Sequence, residues 1–101
     1  MRSNGTYYTY ILTNYSNNVL YIGTTNNLTR RFIEHKQHIN VKSFSAQYNL
    51  GKLVHFECFS SMKDAIAREK QLKNWHRSWK ENLIKEHNPQ WDDLSPKIMP
   101  G

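Results

Sequence analysis

The sequence has few of the residues that build several common kinds of site. It contains one cysteine, four glycines and three prolines in 101 residues. A single cysteine excludes a disulfide within the chain. Because Cys58 stands in an apolar, strand-like run, we expect it to be a small buried side chain and not a nucleophile. The sequence has no HExxH or CxxC motif, and its glycines form neither a Rossmann nor a P-loop pattern.

Long apolar runs are also missing. No stretch approaches the ~18 residues that a membrane-spanning helix needs, and the N-terminus has no signal-peptide core. Together with the lone cysteine, this composition predicts a cytoplasmic, reducing location and no membrane partner.

The length and charge of the chain narrow its class. A chain of 101 residues fits one domain, and aromatic residues at 13% allow a core built from few large side chains. The formal net charge is +6. Such an excess favours an anionic partner, nucleic acid before membrane, although a basic surface also serves solubility alone.

Two N-terminal runs predict a β-hairpin. Aromatic and β-branched residues dominate positions 7–13 and 19–23, and the residues between them are typical of a turn. With Tyr15 and Ser16 at the tip, Tyr10 faces Tyr21 across the hairpin and Leu12 faces Val19. Since side chains alternate across a strand, Tyr8, Tyr10, Val19 and Tyr21 would share one face.

The second strand leads into a basic helix. Gly23 is expected to end the strand, and Asn26 or Asn27 to cap a helix from Leu28 to about Gln37.

The helical wheel predicts where two of the basic residues of this helix lie. Leu28 and Phe32 form an apolar pair one turn apart. Arg31 and His35 form a second pair, displaced by ~60° on the helical wheel. They therefore lie at the border of the buried stripe and not on the far solvent face.

Further elements follow. Positions 38–51 are predicted to be mainly a polar connection, and positions 53–59 a third strand. Ser61 and Asp64 form a capping box for a second helix. A third helix is predicted from Trp79 to about His87.

The ends of the chain are predicted to differ from its body. We expect a flexible N-terminus at 1–6, one domain at 7–88 and a tail at 89–101. Within the tail, Trp91 and Leu94 would hold the chain to the domain, and positions 95–101 would be loose.

Glu69 is the most unusual residue of the second helix. It lies within an apolar stripe formed by Met62, Ala65, Ile66 and Leu72. Burying an unpaired carboxylate costs several kcal/mol. Glu69 is therefore paired, for example with Lys73 one turn later, or exposed in a cleft, or bound to a metal.

The remaining candidates have both structural and chemical interpretations. Two tyrosines on a sheet face commonly belong to a core, but a phenol beside a cation can also take a proton from water. Arg31 is either a surface arginine or a phosphate clamp, because its planar guanidinium matches phosphate oxygens. His35 is either a boundary histidine or a proton carrier.

Together these residues resemble the GIY-YIG nuclease superfamily. Tyr8-Thr9-Tyr10 stands in place of its first motif, and Tyr21-Ile22-Gly23 is its second motif unaltered. Arg31 and His35 follow Tyr21 by ten and fourteen positions, as the family's arginine and its Tyr/His partner do. Glu69 matches the metal-binding glutamate. The pattern over residues 7 to about 85 is most similar to the compact single-domain branch, whose members are described as uncharacterised endonucleases.

The resemblance implies a fold and an activity. The fold class is α+β, with a small three-stranded antiparallel sheet flanked by about three helices. The activity is metal-dependent DNA cleavage, in which one strand's phosphodiester bond is hydrolysed with weak sequence specificity or under direction by DNA structure. The implied catalytic residues are Tyr10, Tyr21, Arg31, His35 and Glu69, and Glu69 would hold a single Mg²⁺ or Mn²⁺.

The implied substrate is DNA, held through phosphate contacts without base readout. The expected DNA-binding residues are Arg30, Lys36, Lys42, Lys73, Arg77 and Lys80. Asn82 is a candidate for the distal asparagine of several family members. Thr24 stands where the excision-repair branch has a lysine.

Several alternatives stay open from sequence. A non-catalytic nucleic-acid-binding module could use the same scaffold, and so could a protein-interaction domain. We expect no separate specificity domain. A homo-oligomer or a partner protein is left open, as is the choice between the two tyrosines as the proton acceptor.

Overall fold

The computed structural model describes residues 5–37 and 49–99. Lys42 and most of the predicted connection at 38–51 lie outside these residues. Within these residues the fold is α+β, with one three-stranded antiparallel sheet and three α-helices, as predicted. The elements are β1 (Tyr7–Thr13), β2 (Leu20–Thr25), α1 (Leu28–Lys36), β3 (Lys52–Phe59), α2 (Met62–Asn74), α3 (Arg77–His87) and a 3₁₀ turn (Ser95–Lys97).

The sheet separates two hydrophobic clusters. Its strand order is β2-β1-β3, so β1 is central. Because side chains alternate along β1, Tyr10 and Leu12 pack with Phe32 of α1, and Ile11 packs on the other face. That second face is covered by Leu72 of α2 together with α3. Within the described residues, no helix is long and apolar enough to cross a membrane.

The predicted hairpin register is wrong by two residues. Tyr10 lies opposite Gly23, and Leu12 lies opposite Tyr21. The connection is longer than expected because the Asn14 side chain accepts hydrogen bonds from the backbone N–H groups of Asn18 (3.0 Å) and of Val19, the next residue. Since a shift of two preserves alternation, the predicted shared face is retained, and the tyrosines still lie together.

The helix starts follow local chemistry. Asn27 caps α1 by accepting from the Arg30 N–H at 3.0 Å, and Ser61 caps α2 by accepting from the Asp64 N–H at 3.1 Å. Both caps were among the predicted ones. The third helix begins two residues earlier than predicted, at Arg77.

Two predicted buried residues are exposed. Ile66 is 38% exposed. The buried face of α2 is therefore narrower than the predicted stripe, and it includes Ala65 and Leu72. Cys58 is also exposed, which makes the prediction of a buried thiol wrong. It is the penultimate residue of the edge strand β3 and borders an open cleft of about 400 Å³.

The predicted loose tail is wrong for residues 95–99. The Leu94 N–H donates to the Leu53 carbonyl at 2.7 Å, which confirms the predicted anchor. Beyond it, the Thr29 hydroxyl donates to the Ile98 carbonyl at 2.7 Å, and Ile98 packs against the cluster that contains Tyr10. Apolar contacts and these hydrogen bonds together fix the segment.

Candidate active site

Gly23 sets the position of the first tyrosine. The sequence predicted that Gly23 ends the strand. That prediction is wrong, because Gly23 lies within β2, which continues to Thr25. A Cβ atom at residue 23 would lie only 2.6 Å from Cζ of Tyr10. The Tyr10 ring therefore occupies the space above the Gly23 backbone, where any other residue would place a side chain.

Three rings meet beside this glycine. The Tyr10 hydroxyl and Nε2 of His35 are hydrogen-bonded at 3.2 Å. The ring centroid of Tyr21 lies 5.1 Å from that of His35 and 6.4 Å from that of Tyr10. Tyr10, Tyr21 and His35 are called the ring cluster below. Tyr10 is 1% exposed and Tyr21 is half-buried, so Tyr21 is the tyrosine nearer to solvent.

Tyr10 stays protonated at neutral pH. Burial raises the pKa of its hydroxyl to about 12, and the charges of nearby Tyr21 and Glu69 add to the increase, while Arg31 opposes it. The hydrogen bond between Tyr10 and Arg31 raises the pKa of Arg31 above its ordinary value. Arg31 also forms an ion pair with Glu34 at 3.1 Å. The site thus combines a neutral phenol with a permanently charged guanidinium.

His35 is more buried than predicted for a boundary residue. It is 5% exposed, and burial together with the neighbouring Arg31 charge lowers its pKa to about 4. It is consequently a neutral imidazole at pH 7. Its Nδ1 is buried and has no hydrogen-bond partner within residues 5–37 and 49–99. A buried ring nitrogen without a partner is costly in a core, and it is a feature of sites that receive a ligand or a water.

Glu69 is held from two sides. The Thr24 hydroxyl of β2 donates to Oε1, and the Lys73 ammonium donates to Oε2 at 2.6 Å. Burial favours the protonated form, but these two hydrogen bonds and the charges of Lys73 and Lys70 together outweigh it and hold the pKa of Glu69 below its ordinary value. Its side chain is 21% exposed. The predicted pair with Lys73 is therefore present, and Glu69 acts electrostatically on Tyr10.

The donor set around Glu69 fits a hard divalent cation. No group of three or more His, Cys, Asp or Glu side chains within the described residues could hold a metal. Mg²⁺ needs no such group, because it is commonly bound through one or two carboxylates with waters and substrate phosphates. Glu69 supplies a carboxylate of that kind, and the Thr24 hydroxyl places a second oxygen beside it. The resemblance marks Thr24 only as the position where the excision-repair branch has a lysine. No spacing in the sequence identifies Thr24 as the partner of Glu69.

The predicted DNA-binding residues have different environments. Arg30 is exposed and lies 3.9 Å from Glu34, and Lys36 is exposed beside the Phe32 ring. Lys80 is half-buried.

Two further predicted DNA-binding residues have hydrogen-bonded partners in the protein. Lys73 is engaged with Glu69. Arg77 is ion-paired with Glu81 at 2.7 Å and donates to the carbonyls of Asn17 and Asn18 at 3.0 and 2.9 Å.

Asn82 is not placed in the ring cluster. It is exposed on α3 and lines a cleft with Trp75 and Trp79, beside the cluster on the other face of the sheet. The structure thus brings Tyr10, Tyr21, Arg31 and His35 together, with Glu69 near enough to influence Tyr10, and it leaves Asn82 elsewhere.

This chain is similar to known proteins over most of its length. A UPF0213 protein of Haloquadratum walsbyi is 36% identical over 87 residues, which cover 82% of this chain and 91% of that protein. A UPF0213 protein of Syntrophus aciditrophicus is 38% identical over 87 residues, covering 82% and 93%. The solution NMR structure of a UPF0213 protein from Bacillus halodurans matches with a TM-score of 0.54 and 26% identity, over 88% of this chain and 93% of that one.

The family-level comparison extends over the ring cluster and Glu69. The model of the GIY-YIG catalytic domain matches residues 6–82, which include both tyrosine motifs, Arg31, His35 and Glu69. The chain therefore belongs to the GIY-YIG family.

Proposed function

We propose that this protein is a metal-dependent endonuclease that hydrolyses a phosphodiester bond in one strand of DNA, with weak sequence specificity or under direction by DNA structure. Family membership implies a nuclease-like function. The observation that carries the proposal is the close association of a charged Arg31 with a neutral, buried Tyr10–His35 pair. A guanidinium that stays charged beside neutral hydrogen-bonding groups suits an anionic, phosphate-containing substrate.

Arg31 is proposed to bind the scissile phosphate. Phosphoryl transfer depends mainly on positioning and on compensation of developing negative charge. The guanidinium can donate in parallel to two phosphate oxygens. Its side chain is 44% exposed, so a DNA strand can reach it, while the contact with Glu34 fixes its direction.

Tyr21 is proposed to meet the attacking water. The raised pKa of Tyr10 makes a standing phenolate at that residue unfavourable, and its side chain is fully buried. Tyr21 is half-buried at the solvent side of the ring cluster. Tyr10 and His35 would then orient the Tyr21 ring. Nδ1 of His35, which has no partner among the described residues, would offer one further hydrogen bond to water or substrate.

Glu69 and Thr24 are proposed to hold the divalent cation. GIY-YIG nucleases generally use divalent metals. When bound, such an ion supplies Lewis-acid stabilisation of the leaving oxygen. For its part the chain keeps Glu69 ionised through the hydrogen bonds from Lys73 and Thr24.

DNA would be held by the basic surface around this site. Arg30 and Lys36 are exposed on the same helix as Arg31, and the chain carries a net charge of +6. Lys42 and Lys80 are further proposed phosphate contacts. Contacts of this kind fix the DNA without reading its bases.

One observation favours a second candidate function. Both carboxylate oxygens of Glu69 already have protein partners, Thr24 and Lys73. A protein that keeps this arrangement with DNA bound would be a non-catalytic nucleic-acid-binding module. It would bind DNA equally well with and without metal.

A cleavage panel separates the two functions. The purified protein is incubated with duplex, flap, junction and single-stranded DNA, in Mg²⁺, in Mn²⁺ and in EDTA. We expect nicking of at least one DNA form with metal and none in EDTA. Salt-sensitive binding to DNA with no cleavage of any form in either metal would contradict the endonuclease and support the binding module.

A further inference from the structure

A second cleft lies between the end of α2 and helix α3. Its volume is about 560 Å³, within the range of small-molecule sites. It is lined by Trp75, Trp79, Asn82, Leu83, Lys85 and Glu86. None of these residues takes part in the ring cluster, and this set is called the tryptophan cleft below.

The aromatic surface of the cleft is open to solvent. Trp79 is 54% exposed, although tryptophan is the side chain with most to gain from burial. Its ring lies 5.8 Å from that of Trp75 and 5.6 Å from that of His76, with interplanar angles of 80° and 82°. Two indoles therefore present differently oriented aromatic surfaces to the same open space.

The orientation of Trp75 is fixed by a cation–π contact with Arg68. The Arg68 guanidinium lies 5.1 Å from the Trp75 ring centre. Arg68 is itself held by Glu57 through two hydrogen bonds of 2.8 and 3.1 Å, and Glu57 is hydrogen-bonded to buried His55 at 2.8 Å. A platform supported in this way loses little freedom when a flat ligand stacks on it.

The polar groups of the cleft match a nucleobase and its phosphate. The exposed Asn82 makes no side-chain hydrogen bond within the described residues, so its amide offers both a donor and an acceptor to a base edge. The Glu86 carboxylate can accept from an exocyclic amino group. Lys85 is exposed, makes no ion pair with a described residue and can meet the phosphate.

We propose that the tryptophan cleft stacks an unpaired base of the DNA strand. Aromatic side chains beside basic residues bind single strands through stacking, which duplex DNA does not offer because its bases are already stacked. The net charge of +6 favours a polyanion over an apolar protein segment as the occupant. This inference rests on the proposed function and names its substrate class as DNA with an unpaired segment.

The cleft lies within reach of Glu69. Trp75 follows Glu69 by six residues at the end of α2, which corresponds to about 9 Å along the helix axis. The neighbouring side chains of Arg68 and Glu69 point to different flanks of α2, towards Glu57 and Thr24. In this proposal, a strand that crosses α2 contacts both the cleft and the candidate active site.

Binding measurements in EDTA test the cleft separately from cleavage. Fluorescein-labelled single-stranded and blunt duplex oligonucleotides of equal length are titrated with wild type, Trp79→Ala and Asn82→Ala. We expect Trp79→Ala to weaken single-strand binding roughly tenfold or more, since stacking on one aromatic contributes that much per base, with duplex binding changed less than about twofold. Asn82→Ala, a surface change, should weaken single-strand binding about threefold or more.

Tyr15→Ala is the matched control, because Tyr15 is 58% exposed but lies in the β1–β2 turn. It should leave both affinities unchanged. Equal losses for single-strand and duplex DNA, or no loss in either cleft variant, would overturn the proposal. Metal-dependent nicking by a wild type whose binding is insensitive to both cleft variants would refute the cleft and leave the proposed function standing. A selective loss of single-strand binding in the cleft variants, with no nicking by the wild type, would support the cleft and contradict the proposed function.

Discussion

At the scale of single residues, the site depends on how closely a tyrosine approaches a glycine. Tyr10 is fully buried over Gly23, and its hydroxyl reaches His35. The second tyrosine motif therefore has a steric role in the packing of the site. Its glycine makes room for the tyrosine of the first motif.

Gly23→Ala should destabilise the fold. The new methyl group would meet the Tyr10 ring at 2.6 Å from Cζ, and such overpacking costs about 1–3 kcal/mol. The free energy of unfolding in urea measures it. In a Tyr10→Leu background the same change should cost less than half as much, because the ring is gone. An equal cost in both backgrounds would mean that the two residues do not interact.

His35 should make stability depend on pH. Its pKa falls from 6.5 to about 4 on folding, so the unfolded chain binds the proton more readily between these values. The contribution of neutral His35 is fully present above pH 6.5 and is lost as pH falls towards 4, by up to about 3 kcal/mol. Urea unfolding across this range should show a flatter dependence in His35→Gln. The exposed His76 supplies the control, since His76→Gln should follow the wild type; a His35→Gln profile as steep as the wild type's would contradict the assignment.

At the scale of elements, the last residues stabilise the sheet edge. Asp93 Oδ1 accepts from the backbone N–H of Leu53 at 3.1 Å and of Ser95 at 3.0 Å, and Oδ2 accepts from the Ser95 hydroxyl at 2.9 Å. The tail thereby completes hydrogen bonding that edge strand β3 leaves open. It also brings Ile98 onto the core.

Asp93→Ala should cost about 1–3 kcal/mol, because it leaves the N–H of Leu53, a fully buried residue, without an acceptor. Asp92→Ala is the comparison, since among the described residues the exposed Asp92 enters the hydrogen bonds of the tail only through its backbone. Thermal unfolding of both variants gives the difference. Similar melting temperatures for the two would show that the tail is not held through Asp93.

Local signals predicted most of the elements. The caps at Asn27 and Ser61 lie where side-chain chemistry favours them, and strand alternation placed the two tyrosines on one face. Long-range contacts were not predictable in the same way. The hairpin register depends on hydrogen bonds of one side chain, Asn14, and the exposure of Cys58 depends on which strand is the edge.

In the candidate site, too, local features were predictable from the sequence and long-range contacts were not. Helical spacing indicated that Arg31 and His35 lie together, and the apolar stripe identified Glu69 as unusual. The burial of His35 and the role of Thr24 as the partner of Glu69 need the packing of α1 and α2 on the sheet. No local pattern contains that information.

At the scale of the whole molecule, the charge of +6 should control DNA affinity. Each phosphate contact adds about 0.9 to the slope of log affinity against log salt for duplex DNA. Lys36→Gln and Arg30→Gln should each lower this slope by about that amount. Lys63→Gln, in the exposed first turn of α2, should leave it unchanged. Slopes that are equal in all four proteins would exclude Arg30 and Lys36 from the DNA interface.

The most direct test of the proposed activity is the rate of Mg²⁺-dependent nicking by Glu69→Gln. Supercoiled plasmid is incubated with the wild type, with Glu69→Gln and with Asp64→Asn, which changes an exposed carboxylate of the same helix. If Glu69 holds the metal, Glu69→Gln lowers the nicking rate about 100-fold or more, while Asp64→Asn nicks at the wild-type rate. Nicking by Glu69→Gln at the wild-type rate would contradict the proposed site.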